Sequence, residues 1–344
     1  LYSHIKEFIE RNKLFLLTFS LFFLLVLIVA FAFILSKLDS SMDRSMVLEV
    51  PRGSTILDLF DKLEEESLIN HNRNVIRLYS KLTEDRGPIK AGKYSLAKGM
   101  TVREIIKLLR AGAVVSYRAT FPEGWTFSQW RKKLLALPHL NKKILDMSDT
   151  EIAGLIGIKG EIEGWFFPDT YYYNLGTSDL DLLESAHRKM KEIIALEWSS
   201  RSAERLLKTP YEALILASMV EKETGYGPDR AKIGSVFLNR LRNGMRLESD
   251  PTVIYGLGDA FDGDLKRHHL RRDNPFNTYT RFGLPPTPIA SPGRQSINVV
   301  LSEVKSPFYY FVAMGNGKSY FSKNYKEHLA AVKRYQLGNS RRAP

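Results

Sequence analysis

The chain has 344 residues, of which 44% are hydrophobic and 26% are charged, and this composition is typical of a globular protein rather than a disordered one. Its 50 Lys and Arg residues outnumber its 38 Asp and Glu residues, so the formal net charge of +12 favours an anionic partner: an acidic polymer, a lipid surface or nucleic acid. The sequence contains no cysteine, which excludes disulfides, thiol nucleophiles and cysteine-based zinc sites and suits an oxidising compartment.

The first predicted element is a membrane-spanning helix. Leu14 to Leu35 carries no charged residue and consists mainly of Leu, Phe, Val, Ile and Ala. Its roughly 22 positions give about 33 Å of helix, enough to cross a hydrocarbon core of about 30 Å. A cleaved signal peptide is disfavoured, because the apolar core of such a peptide runs to only about 7–15 residues.

A slight excess of Lys and Arg before this segment favours a cytoplasmic N-terminus, with the rest of the chain exported. We therefore expect a single-pass protein of a cell inner membrane. The expected order is a cytoplasmic tail over residues 1–13, a transmembrane helix over 14–36 and a short polar tether over 37–46.

A repeated turn pattern follows and predicts a small α+β module over residues 47–117. Three glycines each stand two residues before a Thr and precede an amphipathic stretch: Gly53, Gly99 and Gly124. This is the pattern of a strand that ends in a glycine turn, with the Thr placed to cap the next helix. Short strands are predicted at Val47 to Val50 and Ala91 to Leu96. The alternative is that strand-turn-helix units resemble one another through shared turn chemistry alone.

From about Arg118 the sequence becomes richer in aromatic residues, and a mixed α+β domain is predicted over residues 118–340. Helices are expected at Asp179 to Leu196, Tyr211 to Thr224 and Asp229 to Arg242, and a strand at Tyr309 to Ala313. Gly- and Pro-rich loops follow the third helix. Such loops on a helical scaffold are where functional sites usually lie.

The helix predicted at Tyr211 to Thr224 is apolar on nearly every side and then ends abruptly in charged residues. A helix of this kind is buried, so its charged end is the part that reaches a pocket. Glu221 and Glu223 are about 200° apart around a helix and cannot both face one pocket. Either one of them works there, or both are solvated charges that close a buried helix.

Glu223 is the better candidate of the two. It continues the bulky stripe of Leu216, Met219 and Val220, whereas Glu221 continues smaller residues. Apolar surroundings disfavour the charged carboxylate, and the negative end of the helix dipole acts in the same direction. Both effects raise the pKa of a carboxyl group, as a general acid for a glycosidic oxygen requires.

Further motifs surround this helix in a fixed order. They are Glu163 to Thr170, Phe237 to Leu241, Met245 to Gly256, Asn274 to Tyr279, Gly283 to Pro286 and Ser291 to Gly293. The set resembles the MltG, or YceG-like, family of endolytic murein transglycosylases over nearly the whole part that follows the predicted anchor. The resemblance implies a LysM-like subdomain over residues 47–117 and a YceG-like catalytic domain over 118–340.

The resemblance also implies a reaction. Members of the family cut the bond between N-acetylmuramic acid and N-acetylglucosamine in nascent glycan strands, leave a 1,6-anhydro end and so terminate elongation. The family's catalytic glutamate lies in a Glu-Lys-Glu-Thr motif and matches Glu223. Because this residue acts first as acid and then as base, a second catalytic carboxylate is not required. The implied partners are peptidoglycan glycan strands, the inner membrane and peptidoglycan synthases.

Five further residues are candidates for substrate contact: Glu163, Glu221, Asn239, Asp250 and Tyr279. Each has a structural alternative, such as packing beneath a turn, capping a turn or bonding to a neighbouring loop. His268 and His269 lie in a basic run that we expect to be solvated, and neither a metal nor a cofactor is predicted.

Two other classes of function compete with the transglycosylase. One is a non-catalytic peptidoglycan-binding scaffold of the cell-wall synthesis machinery, which the Glu223 motif disfavours. The other is a nucleic-acid binder, suggested by the net charge. The sequence has no helix-turn-helix, RNP or zinc-finger pattern, so nucleic acid is not an expected partner.

Overall fold

A computed structural model of the chain describes residues 13–82, 89–201, 206–302 and 304–337. The chain divides into two compact units. The first ends at Tyr117 and includes Asn174–Gly176, and the second comprises Arg118–Tyr173 and the residues from Thr177 onward. Both units contain helices and short strands, so the predicted mixed α+β class is confirmed. The predicted cytoplasmic tail lies outside the described residues, except for Lys13.

Helix α1 spans Lys13–Leu38. Within the described residues it is the one helix long and apolar enough to cross a membrane, with a mean hydropathy of 3.0 in its most apolar stretch. Its 26 residues reach about 39 Å at 1.5 Å per residue. The side chains of that stretch are not buried by the rest of the protein, so a lipid environment would satisfy them.

The segment predicted as a polar tether, residues 37–46, is packed against the first unit. Leu38 and Met42 are only 4% and 2% exposed and belong to the core of that unit. The amide of Met42 donates to the carbonyl oxygen of Met100, which fixes the backbone as well. Burial of these two apolar side chains, four residues apart among small polar ones, makes the predicted tether part of the core of the first unit.

The first unit is a two-stranded antiparallel sheet with helices packed on it. Its elements after α1 are β1 (Met46–Val50), α2 (Ile56–Glu65), α3 (Arg73–Leu82), β2 (Gly92–Leu96) and α4 (Val102–Ala111). Thr55 and Thr101 accept hydrogen bonds from the amides three residues later, so the predicted capping is confirmed at both positions. The likeness of this unit to LysM stays a prediction.

The second unit is mainly helical. Its elements are β3 (Tyr117–Thr120), α5 (Phe127–Ala136), α6 (Asp149–Ile156), β4 (Thr170–Tyr173), α7 (Asp179–Ser199), α8 (Pro210–Glu223), α9 (Gly227–Arg242), α10 (Asp250–Leu257), α11 (Arg267–Arg271), α12 (Arg294–Leu301), β5 (Tyr310–Ala313), β6 (Ser319–Ser322) and α13 (Tyr325–Val332). Strand β3 pairs with β4, and β5 pairs with β6. A π-helical turn over Lys333–Leu337 follows α13.

Helix α8 is the core of this unit, since residues 213–220 are all buried. It packs with apolar side chains of α7, α9 and α12 in one cluster. Thr209 caps its first turn and Pro210 occupies the first helical position, where a missing amide costs nothing. The helix ends at Glu223, so rigid packing on all sides fixes where that carboxyl group lies.

Candidate active site

The carboxyl group of Glu223 is held by a neighbouring hydroxyl. Ser249, the residue that precedes α10, donates from its Oγ to Oε1 of Glu223 at 2.5 Å. The hydroxyl of Ser249 does not cap α10, and its side chain is buried. The Ser249 hydroxyl therefore orients the carboxyl group at the end of α8.

A cavity of about 400 Å³ opens beside Glu223, within the roughly 300–1,000 Å³ range of ligand-binding pockets. The residues that line it are Glu223, Arg240, Leu247, Glu248, Asp250, Tyr279, Phe311, Val312, Ala313, Ser319, His328, Val332 and Gln336. These residues come from α8, α9, α10, β5, β6, α13, the π-helical turn after α13 and the loops between them. The predicted candidates Glu223, Asp250 and Tyr279 are thus brought together.

The pKa of Glu223 is raised from 4.5 to about 7, and burial is the largest cause. The negative charge of Asp250 contributes to this rise, whereas the Ser249 hydrogen bond and the Arg240 cation act against it. Although part of the side chain stays accessible through the cavity, the carboxyl group lies among protein atoms. Near neutral pH it is therefore present in both protonation states, which suits a group that must give up a proton and take one back.

Asp250 and Tyr279 form a pair in the same cavity. The Tyr279 hydroxyl donates to Oδ1 of Asp250 at 2.6 Å. Burial raises the pKa of Tyr279, and its bond to Asp250 raises it further, so the hydroxyl stays protonated as a donor. The arrangement places a stabilised negative charge near Glu223.

The loop that carries these groups is fixed by Arg240 from α9. Its Nη1 donates to the carbonyl oxygens of Arg246 and Leu247, both at 3.1 Å, and to the carboxylate of Glu248 at 2.9 Å. Glu248 has a φ of 51°, a left-handed conformation that is unfavourable for a residue with a side chain. The amide of Glu248 also donates to the carbonyl of Thr278 at 3.1 Å. These contacts hold a strained backbone at the cavity wall.

Glu221 lies on another side of α8 and does not line the cavity. Its Oε1 accepts from Arg230 at 2.8 Å, and its Oε2 accepts from the Gly293 amide at 3.0 Å and the Ser296 hydroxyl at 2.7 Å. The side chain is only 9% exposed. Glu221 therefore ties the loop before α12 to α8, and its assignment as a substrate-contacting residue stays a prediction.

Glu163 and Asn239 also make internal contacts rather than lining the Glu223 cavity. Glu163 accepts from the first amide of α5, that of Phe127, and from the Tyr255 hydroxyl of α10, each at 3.1 Å. Burial raises its pKa to about 7, and these bonds offset part of that effect. Asn239 donates from Nδ2 to the carbonyl oxygens of Ser306 and Phe308. Their assignment as substrate-contacting residues stays a prediction.

The sequence alone indicates no role for several residues at the site. Ser249 and Arg240 belong to the motifs that carry the family resemblance, but their convergence on Glu223 depends on loop packing. His328 of α13 had no sequence signal. Its ring stacks on Tyr310 at 5.1 Å between centroids, and its Nδ1 has no partner among the described residues. Burial lowers the pKa of His328 and the Arg240 cation lowers it further, so the imidazole is neutral at pH 7.

Among the described residues, no three His, Asp or Glu side chains are grouped in a way that could hold a metal ion. The adjacent His268 and His269 have ring centroids 4.0 Å apart at the start of the short helix α11. The cavity instead offers carboxyl, hydroxyl, imidazole and guanidinium groups. Such groups can bind a neutral polar ligand and move a proton.

Comparisons with known proteins agree with one another. The YceG-like family matches residues 48–334. The chain is 30% identical over 321 residues to the endolytic murein transglycosylase of Bacillus subtilis, covering 88% of each chain. It is 27% identical over 372 aligned positions to the endolytic murein transglycosylase of Streptococcus pneumoniae, covering 95% of this chain and 64% of that relative. A crystal structure of a YceG-like protein from Listeria monocytogenes matches with a TM-score of 0.55 and 32% identity, over 84% of this chain and 99% of that one.

Proposed function

Because the chain belongs to the YceG-like family, we propose that it is an endolytic lytic transglycosylase of peptidoglycan, with Glu223 as its catalytic residue. The observation that carries the proposal is the Glu223 carboxyl group: it lies in a cavity, is oriented by Ser249 and has a pKa raised to about 7. The relatives named endolytic murein transglycosylases support murein as the substrate.

In the first step, protonated Glu223 donates its proton to the oxygen that joins C1 of N-acetylmuramic acid to N-acetylglucosamine. The C1–O bond breaks, and the sugar that keeps C1 acquires oxocarbenium character. The Asp250 carboxylate faces the same cavity and stabilises this positive charge.

In the second step, the 6-hydroxyl of the same muramic acid attacks C1 and loses its proton to the Glu223 carboxylate. The products are a 1,6-anhydro end and a free 4-hydroxyl on the released N-acetylglucosamine. No water is consumed, and Glu223 returns to its protonated form. One carboxyl group with a pKa near neutrality can perform both transfers.

The proposal extends to the place of action. Helix α1 anchors the chain in the inner membrane with its N-terminus in the cytoplasm and both units outside, and the length and hydropathy of this helix support the anchor. An anchored enzyme meets glycan strands as they emerge, so it terminates their elongation and works beside peptidoglycan synthases. The net charge of +12 suits both an anionic polymer and lipid headgroups.

The decisive experiment is Glu223→Gln, assayed by mass spectrometry of the ends released from purified glycan strands. We expect release of 1,6-anhydro ends to fall by about 10²–10⁴-fold, the usual contribution of a general acid and base. The matched control is Glu192→Gln, since Glu192 is an exposed residue of α7 that should have no effect.

Comparable anhydro product from Glu223→Gln and the unaltered protein would refute the assignment. Hydrolysed ends in place of anhydro ends would keep Glu223 but refute the lytic step. Binding of strands without any release by the unaltered protein would favour the non-catalytic scaffold. Circular dichroism and thermal unfolding establish that each variant is folded.

A further inference from the structure

We propose that Phe282 and Arg246 form a sugar-stacking surface beside the Glu223 cavity, which takes one pyranose ring of the glycan strand away from the bond that is cut. This inference rests on the proposed function, because it names a second contact for the same polymeric substrate. Phe282 and Arg246 together are the stacking surface.

Phe282 is 65% exposed, the highest exposure among the large apolar side chains without a polar atom in the described part of the second unit. Full burial of a Phe side chain would contribute about 1.5–3 kcal/mol to stability, and most of this stabilisation is absent here because the ring is exposed. In the described part of the second unit, the other exposed aromatic rings belong to tyrosines, whose hydroxyl groups water can solvate: Tyr172, Tyr226, Tyr320 and Tyr325. Among these exposed rings, only that of Phe282 lacks a polar atom, which favours an apolar contact with a ligand.

Arg246 covers one face of the Phe282 ring. Its guanidinium carbon lies 4.6 Å from the ring centroid, within the range of a cation–π contact. The contact fixes the orientation of the ring and leaves the opposite face open to solvent. Phe282 is thus held as a flat apolar platform before any ligand arrives, and Arg246 itself remains exposed.

The chain on both sides of the platform is held by hydrogen bonds or by an ion pair. Arg240 binds the carbonyl oxygens of Arg246 and Leu247, so the Arg246 side chain starts from a fixed point. On the other side, Arg281 forms an ion pair with Asp273, with Nη2 and Oδ2 2.9 Å apart. A preorganised platform loses little conformational entropy when a ligand binds.

The stacking surface is continuous in sequence with the cavity wall. Leu247 and Glu248 line the cavity and directly follow Arg246. Tyr279 also lines it, three residues before Phe282. Both loops that build the wall therefore reach the platform within a few residues, so the platform adjoins the cavity wall.

The chemistry of the platform fits a pyranose ring. One face of such a ring presents C–H groups that pack on an aromatic surface, while its hydroxyl and amide oxygens point outward at the edges. The Arg246 guanidinium packs on the other face of the Phe282 ring and holds that ring in place for the sugar. The occupant we propose is an N-acetylated hexosamine ring of the strand.

The test is Phe282→Ala in a Glu223→Gln parent, which separates binding from cleavage. We expect the affinity for long, peptide-free glycan strands to fall about tenfold, the equivalent of about 1.4 kcal/mol, while Phe282→Trp keeps it. In the catalytically active protein, kcat/KM should fall about tenfold on long strands through KM, with little change on oligosaccharides short enough to fill only the cavity. Tyr172→Ala, at a 71% exposed ring, is the matched control.

Equal strand affinity of the Phe282→Ala variant and its parent would overturn the stacking surface, and so would an equal loss on long and short substrates. If the parent binds strands and loses affinity on Phe282→Ala, yet the unaltered protein releases no anhydro ends, the surface stands and the proposed function fails. If the parent does not bind strands at all, both fail. Because Phe282 is exposed, the Ala variant is expected to fold, which circular dichroism checks.

Discussion

At the C-terminal end of α8, two carboxylates two residues apart have opposite surroundings. On one side, Glu221 accepts bonds from Arg230, Gly293 and Ser296 and is closed off from solvent. On the other, Glu223 accepts a bond from Ser249 and faces a cavity. A fully bonded carboxylate next to a cation holds the fold together, whereas a carboxyl group at a cavity wall is available for proton transfer.

Substitutions of the two carboxylates should differ most in their effect on stability. Glu221→Gln should lower the free energy of unfolding by about 3 kcal/mol, because it removes the buried carboxylate that pairs with Arg230 and sets an amide donor against donors. Urea unfolding followed by circular dichroism measures the change. The matched control is Glu223→Gln, which replaces a carboxyl group whose pKa burial raises to about 7.

The difference in stability between Glu223→Gln and the unaltered protein depends on pH. In the unfolded chain Glu223 ionises near its ordinary value of 4.5, so between about pH 4.5 and 7 the unfolded state binds fewer protons and stability falls as pH rises. Glu223→Gln should therefore be at least as stable as the unaltered protein at pH 8. A loss of stability in Glu223→Gln equal to that in Glu221→Gln would erase the distinction between the two sides.

A smaller effect should follow from removing the group that orients Glu223. We expect Ser249→Ala to lower kcat about tenfold, or about 1.4 kcal/mol, because the carboxyl group is no longer held. The lost hydrogen bond also favours the protonated form, so the high-pH decline in kcat/KM should move above about pH 7. Rates measured across pH on purified strands test both parts, and an unchanged profile would contradict the role of Ser249.

The smallest shift in the pH profile should come from the neighbouring charge. Asp250→Asn removes a negative charge but keeps an oxygen that can accept from Tyr279. Because that charge raises the pKa of Glu223, the decline in kcat/KM should move to lower pH. The shift is opposite in sign to that of Ser249→Ala, so shifts in the same direction for both variants would refute the electrostatic account.

Local patterns predicted much of the second unit. The helices expected at Asp179 to Leu196 and Tyr211 to Thr224 are present at Asp179–Ser199 and Pro210–Glu223. Their ends moved by at most three residues, because capping and periodicity act over one or two turns. Thr126 caps α5 as its glycine turn predicted. The packed segment after α1 was missed, since its two apolar residues have meaning only against the core they enter.

The site was predicted less completely than the helices. Of the candidates, Glu223, Asp250 and Tyr279 share one cavity, whereas Glu163 and Asn239 bind backbone groups elsewhere. Within the described residues, polar side chains of β6 and α13, Ser319 and His328, complete the cavity wall. They lie far from α8 in sequence, and no local pattern connects elements at that separation.

The sequence by itself determined the apolar helix α1, the helix that buries residues 213–220, and the opposite directions of Glu221 and Glu223, because each follows from composition or helical period over a short span. Only the tertiary structure decided what surrounds those two carboxylates. On one side, Glu221 is buried in an ion pair with Arg230. On the other, two loops held by hydrogen bonds of Arg240 and Thr278 border the cavity that Glu223 faces. The environment of a charge depends on residues brought together by packing, and the same carboxyl group is structural or reactive accordingly.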